Sequence, residues 1–247
     1  MFKIKPINYI RFSSLESTNT WTKQNAAMLD PECITCISAQ EQTAGRGRFY
    51  RKWLSPRGQN IYATLFFRIP KSSVAQGNLG QLLSITLCSI LKKHEFFAMI
   101  KWPNDLLIQN KKIAGILCET QTFDEEVGVI LGFGLNVNMD KDLLEVIDQP
   151  ATSLAQESGH PWDIEKILQE VIEQFRSDLA ILEDKGFIYF HKQYEALLMS
   201  KDQLVSWTDG TKSITGIFHS ISEDGRLNLI APSGEIISLS SGELKTS

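Results

Sequence analysis

The spacing of apolar residues changes once along this chain, near Ser200, and that change limits what it can fold into. Before it, segments with an apolar residue at every third or fourth position alternate with short runs rich in β-branched and aromatic residues. The first kind must lay one helix face on a partner surface, and the second supplies such a surface as a sheet. After it only strand-like runs remain, at 205–207, 213–221, 226–230 and 235–239. Asp209-Gly210, Asp224-Gly225 and Ser233-Gly234 stand between them as turn signals. The pattern predicts two units, an α+β domain over 1–199 and a small β-barrel over 200–247. The second lies near the lower size limit for independent stability, so it should dock against the first.

Within the larger unit the clearest helix is 163–184. Ile164, Ile167, Leu168, Val171, Ile172, Phe175, Leu179 and Leu182 share one face, and Gly186 stands where a C-terminal glycine cap belongs. Further helices are predicted over 19–28, after the capping residues Ser17 and Thr18, over 78–92, and over 187–198. Strands are predicted near Ile34, over 60–69 and 98–102, and over 126–136, which is loosened by Gly132 and Gly134. The segments 106–108 and 113–119 read as a hairpin around Gln109-Asn110-Lys111.

The composition is that of an ordinary folded protein, with 43% hydrophobic and 22% charged residues among 247. A net charge of -4 and the lack of a broad basic footprint argue against a nucleic-acid partner. No run approaches the roughly 18 apolar residues of a membrane span. The start, from Met1 to Pro6, lacks a signal-peptide core, so a cytoplasmic location is expected. Cys33 and Cys36 sit on a strand-like segment, where positions three apart face opposite ways. With Cys88 and Cys118 they read as structural thiols, and His94, His160, His191 and His219 show no metal-ligand spacing.

The chemistry collects in three short segments. Thr43-Ala44-Gly45-Arg46-Gly47-Arg48 puts two guanidinium forks on a glycine-spaced loop, suited to closing over an anionic small molecule. Lys101-Trp102-Pro103-Asn104-Asp105 places an amide and a carboxylate just past a strand end, and Lys112-Ile113-Ala114-Gly115 opens the next strand. Ser17, Thr18, Gln42 and Asn136 also fall at element ends. A sheet delivering these groups to one rim would gather them around one pocket.

Taken together, these segments resemble the biotin protein ligase family, the biotin–carboxyl-carrier ligases. The matching pieces run in order from Ser17-Thr18-Asn19 through Gln42-Thr43-Ala44-Gly45-Arg46-Gly47-Arg48, Trp53 with Ser55-Pro56, and Asn60-Ile61-Tyr62. They continue with Lys101-Trp102-Pro103-Asn104-Asp105, Lys112-Ile113-Ala114-Gly115-Ile116-Leu117 with Glu119, and Gly132-Phe133-Gly134-Leu135-Asn136-Val137. Gly225, Leu227 and Ser241-Gly242-Glu243 look like the family's C-terminal stretch, so the resemblance covers nearly the whole chain. It implies an α+β catalytic domain similar to class II aminoacyl-tRNA synthetases, with a mixed or antiparallel sheet, followed by an SH3-like barrel.

The resemblance also implies chemistry. Biotin and ATP would give biotinyl-5′-adenylate and pyrophosphate, and a lysine on the biotin carboxyl carrier domain of acetyl-CoA carboxylase would then take the biotinyl group. Ser17, Thr18 and Gln42 would hydrogen-bond biotin's ureido group, with Asn19 and Arg46 in the same biotin site and Gly45, Gly47 and Gly115 letting backbone approach the ligand. Arg48, Lys112 and Asp105 would be the catalytic set, Arg48 holding the adenylate phosphate and Lys112 the carboxylate or acyl-phosphate oxygen. Trp53, Lys101, Asn104, Asp105 and Asn136 would surround the nucleotide, Asp105 also touching Mg2+. The apolar tail of biotin would lie against Ile113 and Leu117.

Two departures matter. Tyr50 stands where the family commonly has glycine. The pattern also begins almost at once, leaving no room for the N-terminal DNA-binding domain that some members carry. A form without transcriptional control is therefore expected, with no membrane or nucleic-acid partner, and a homodimer is compatible. Residues 43–52 are expected to order only on ligand binding. The rivals are a lipoate–protein ligase and a non-catalytic protein that sequesters biotin or the carrier.

Overall fold

The computed structural model describes residues 5–73 and 75–246; of the start expected to lack a signal-peptide core, Met1 to Ile4 lie outside the described residues. The larger unit contains seven strands: β1 Ile7–Phe12, β2 Ile34–Ala39, β3 Ile61–Pro70, β4 Met99–Lys101, β5 Asp105–Ile108, β6 Lys111–Phe123 and β7 Glu126–Leu135. They form one mixed sheet in the order β1-β2-β3-β7-β6-β5-β4, parallel only between β1 and β2. The helices are α1 Thr18–Asn25, α2 Leu79–Lys93, α3 Lys141–Glu145, α4 Leu154–Ser158, α5 Ile164–Lys185 and α6 Ile188–Leu197.

The alternation of side chains along each strand decides what covers which face. Ala63, Leu65 and Phe67 of β3, with Leu131 and Phe133 of β7, enter the main core beneath α2, α5 and α6. Phe66 and Ile130 point the other way, into a smaller cluster with Ala26, Leu29 and Ile37 beside α1. Strands β3 and β7 are therefore covered on both faces, which is why they read as almost unbroken apolar runs. Each large side chain buried there contributes about 1.5–3 kcal/mol.

The predicted helices and most strands are present, with three differences. Gln109 and Asn110 alone make the hairpin turn, both left-handed at φ 48° and 64°. That is the twist-matched two-residue turn, so β6 already begins at Lys111. Helix α1 stops at Asn25 and a 3-10 turn carries the chain to Met28. Strand β1, the C-terminal strand Glu243–Thr246 and helices α3 and α4 carry no sequence signal. β1 is an edge strand with mostly unburied side chains, and α3 and α4 span five residues each, too few to show a period.

The C-terminal strands, β8 Leu204–Thr208, β9 Ser213–Ile221, β10 Leu227–Ile230, β11 Ile236–Leu239 and β12 Glu243–Thr246, form an antiparallel five-stranded sheet in the order β11-β10-β9-β8-β12. Gly210, Gly225 and Gly234 take φ 93°, 85° and 85°, the conformations that the predicted turns require. Val205, Trp207, Phe218, Leu227 and Leu229 fill the interior, as an SH3-like barrel does. The expected docking is present. Asn78 Nδ2 donates to Asp224 O at 2.9 Å, Gln81 Nε2 to Gly225 O at 2.6 Å, and the His191 ring meets Ile221 O at 2.7 Å.

Cys33, Cys36 and Cys88 are buried and free, and burial pushes the Cys36 and Cys88 thiols up to about 12. Cys118 is exposed and also free. Among the described residues no cluster of three His, Cys, Asp or Glu could hold a metal ion. None of the described helices is long and apolar enough to cross a membrane.

Candidate active site

On the α1 side of the sheet, the same alternation brings Tyr62 and Thr64 of β3, Gly115, Leu117 and Glu119 of β6, and Gly132 and Gly134 of β7 to one face. Gly134 pairs with Gly115 across one ladder and with Tyr62 across the other, and Gly132 lies between Leu117 and Thr64. Three glycines in adjacent strands leave a trough in the middle of the sheet. Asn19 lies directly on Gly132 and the indole of Trp53 directly on Gly134, so a Cβ at either position would collide with them. The cavity above has a volume of about 1100 Å³ and runs from Ser17 and Thr18 to Val146 and Glu243.

The glycine–arginine segment arches over this trough as a narrow hairpin. Trp53 N donates to Gly45 O at 2.9 Å and Gly47 N to Arg51 O at 2.7 Å, with Arg46 opposite Lys52. Within the flap Gly45 is closely packed, and a Cβ there would come within 2.5 Å of Trp53 O; at Gly47 the nearest atom would be 3.5 Å away. The left-handed residue is instead Phe49, at φ 52°, with its ring exposed. The side chain of Tyr50 lies outside the described residues.

Three cations pin the flap. Arg46 pairs with Glu119 at 3.0 Å, Arg51 with Glu243 at 2.7 Å, and Arg48 donates to Gly242 O at 2.9 Å and Asn104 Oδ1 at 3.2 Å. The flap therefore bridges the two sheets. The Arg51 side chain is 63% exposed and that of Arg46 39%, so each pair contributes about 0.2–1 kcal/mol. Burial lowers the basicity of Arg48, while Glu243 and Asp105 raise it; a guanidinium remains charged throughout.

Lys112 and Asp105 face each other at the centre, Nζ to Oδ2 at 2.7 Å, and the Lys112 ammonium lies 5.4 Å from the Trp53 ring centre. β5 carries Asp105 and β6 carries Lys112, while the backbone of Lys112 is itself clamped to Pro150 O and Thr152 N. Arg46, Arg48, Arg51, Lys52, Lys101, Lys112 and Lys245 line the cavity against only Asp105, Asp148 and Glu243. In a chain of net charge -4 this is a local excess of positive charge.

The opposite end presents neutral hydrogen-bonding groups beside the Arg46–Glu119 pair. Gln42 Oε1 accepts from Thr18 N at 2.9 Å, and Gln42 Nε2 donates to Ser55 Oγ at 3.0 Å. Ser17 caps α1 by accepting from Thr20 N.

Apart from Ile113, the residues expected at the site from the sequence all border this one cavity. Trp53 lies in the glycine trough and against Lys112, within the cavity floor. Asn136 borders the cavity, yet its amide is held by Thr152 O at 3.0 Å and by Asn60 at 3.4 Å, so it ties β7 to the segment that follows. Ile113 is fully buried in the main core, and Leu117 alone of that pair reaches the cavity. Sequence reasoning missed Val146, Ile147, Asp148, Ala151 and Leu244, which border the cavity from loops and from β12. Their short, aperiodic segments offered no signal.

The α+β sheet thus carries a glycine trough with neutral hydrogen-bonding groups at one end and a cluster of cations at the other. The biotin/lipoate A/B protein ligase family profile matches residues 11–136. The chain belongs to that family. The bifunctional ligase/repressor BirA of Escherichia coli is 34% identical over 196 residues, 78% of this chain and 60% of that protein. The biotin–[acetyl-CoA-carboxylase] ligase of Paracoccus denitrificans is 32% identical over 80% of this chain and 85% of its own length. The match to BirA thus spans less than two thirds of that protein. Among solved structures, the biotin protein ligase of Aquifex aeolicus in complex with biotin and ATP superposes with a TM-score of 0.82 at 30% identity, covering 97% of this chain and 99% of that one.

Proposed function

We propose that this chain is a biotin protein ligase that activates biotin with ATP and transfers it to a lysine of a biotin carboxyl carrier domain. The observation that carries this reading is the convergence of Arg48, Lys112 and Asp105 at one end of a trough whose other end is the uncharged Thr18–Gln42 pair. Biotin matches that polarity, with a neutral cyclic urea at one end, an apolar middle and a carboxylate at the other.

In the first step a carboxylate oxygen of biotin attacks the α-phosphorus of ATP, and the bond to the bridging oxygen breaks to release pyrophosphate. An anion meets a polyanion, so fixed positive charge must offset repulsion and the charge developing in flight. Lys112 stands where the carboxylate end would lie. Arg48, held by Asn104 and Gly242, stands ready to exchange those neutral acceptors for phosphate oxygens. Magnesium arriving with ATP would screen phosphate charge. Asp105 suits it as the single protein carboxylate, the usual share for a magnesium carried by phosphates. In the second step the neutral amine of the carrier lysine attacks the acyl carbonyl, the bond to AMP breaks, and Asp105 is placed to accept the proton.

Incubation with ATP, labelled pyrophosphate and either biotin or lipoate tests this reading. Exchange that depends on biotin supports it. Exchange with lipoate alone would assign the other branch of the family, and tight biotin binding without exchange would mark a sequestering protein. Arg48→Ala should shorten retention of the adenylate about tenfold or more, the cost of a lost charged hydrogen bond, while changing biotin affinity less than threefold. Chase of preformed adenylate with unlabelled biotin measures this.

The flap, held by exposed ion pairs, is proposed to close over the adenylate and exclude water from it. Limited proteolysis should cut within 43–52 in the ligand-free protein and be suppressed by biotin with ATP. Equal cleavage in both states would remove the gating role.

A further inference from the structure

Beneath the neutral end of the trough lie Thr64 and Glu119, and the donors around them can be assigned one proton at a time. Glu119 Oε2 lies 3.0 Å from both Asn19 Nδ2 and Arg46 Nη2, and Leu117 O lies 3.2 Å from the same Nδ2. A carboxylate and a carbonyl only accept, so the amide nitrogen must face them, and a flipped Asn19 would set its oxygen against two acceptors. Asn19 Oδ1 therefore faces Thr64 Oγ1, 2.6 Å away. Oδ1 has no proton, so the single hydroxyl proton of Thr64 goes to Asn19.

Thr64 Oγ1 also lies 2.8 Å from Thr18 Oγ1. With its own proton engaged, Thr64 makes that contact as acceptor, using the proton of Thr18. The other group in reach is Gln42 Oε1 at 3.2 Å, again only an acceptor, its sense fixed by Thr18 N–H. The nearer of the two, Thr64, holds the Thr18 hydroxyl proton, so that proton points into the protein. Its lone pairs are left for the cavity. Thr64 is fully buried, and a hydroxyl there costs stability unless both its proton and a lone pair are used, as they are here.

We propose that Thr64 and Glu119 are positioning residues that hold the Thr18 hydroxyl as a hydrogen-bond acceptor toward the cavity, so that the site selects a ring N–H donor of a cyclic urea. The proposal rests on the biotin reading above and adds two residues that touch no ligand.

The test compares dissociation constants for biotin and for biotin methylated on a ring nitrogen, by calorimetry, in the wild type, T64V, T64S and E119Q, with thermal melts alongside. The wild type should prefer biotin. In T64V the biotin affinity should fall about tenfold, the effect of one neutral hydrogen bond in a buried site, and the preference should narrow by the same factor because the methylated analogue never used that bond. T64S keeps the hydroxyl and should stay within about threefold of wild type in both. E119Q brings an amide that permits Asn19 to turn over, and should narrow the preference in the same direction. A T64V whose preference equals that of the wild type, whatever its affinity or melting point, would reduce Thr64 to packing and overturn the proposal. E119Q with wild-type preference would remove Glu119 from it. A wild type that binds biotin no better than lipoate would instead bring down the reading of the cavity, and the proposal with it.

Discussion

Replacement of Lys112 by alanine is expected to lower biotin-dependent pyrophosphate exchange by about a hundredfold or more, the effect of removing one preorganised charge from a transition state. Its side chain is largely enclosed, 16% exposed, and is fixed from both sides: the backbone is clamped by Pro150 and Thr152, and Nζ is held by Asp105 and faces Trp53. A charge so held need not reorganise as the reaction proceeds. Alanine also leaves Asp105 without its partner, so that a carboxylate would add repulsion where an anion must enter. The double variant Lys112→Ala, Asp105→Asn separates the two effects. If relief of repulsion dominates, the second change restores activity; if the ammonium itself stabilises the transition state, the double variant stays as slow as the single one. Retention of full exchange by Lys112→Ala would exclude the assigned role.

Gly134→Ala should be among the most costly single methyl groups added to the sheet face. The new Cβ would lie 2.5 Å from Trp53 Cζ2 and closer still to Cε2 and Nε1, so the indole must leave the trough. Overpacking of this kind costs about 1–3 kcal/mol of stability. The functional loss should be larger, because Trp53 is also the floor beneath Lys112 and the far strand of the flap hairpin. Biotin affinity should fall by about a hundredfold, since both the trough and its closure depend on that ring. Gly47→Ala is the control: its Cβ would meet nothing nearer than 3.5 Å, and both stability and affinity should stay close to wild type. Chemical melts and equilibrium binding on the two variants decide the matter, and equal behaviour of the pair would show that the glycine trough carries no function.

Much of this molecule was legible in its residues because the signals are local. The period of Ile167, Val171, Phe175 and Leu182 requires an amphipathic helix whatever it packs on, and α5 follows it. The Asp-Gly and Ser-Gly pairs required left-handed glycines, and Gly210, Gly225 and Gly234 have them. The departures arise where burial or contact, and not local preference, decides. Ile113 and Leu117 look alike in sequence, but the ladder irregularity in the pairing of β5 with β6 leaves Ile113 in the core and Leu117 in the cavity. Gly45 and Gly47 look alike as well, and only the first is crowded.

The residues of this chain by themselves determined which side chains could handle an anion, since charge, amide and glycine chemistry belong to the residue and its neighbours. Only tertiary structure decided how they act together. Glu119, Thr64 and Trp53 acquire their roles from atoms dozens of residues away, and Gly242 and Glu243, which hold Arg48 and Arg51, come from the separate C-terminal unit. Hydrogen bonds and ion pairs extend over a few ångströms of space, and the ladder register and sheet docking, which the sequence encodes only through the whole fold, determine which groups fall within that reach.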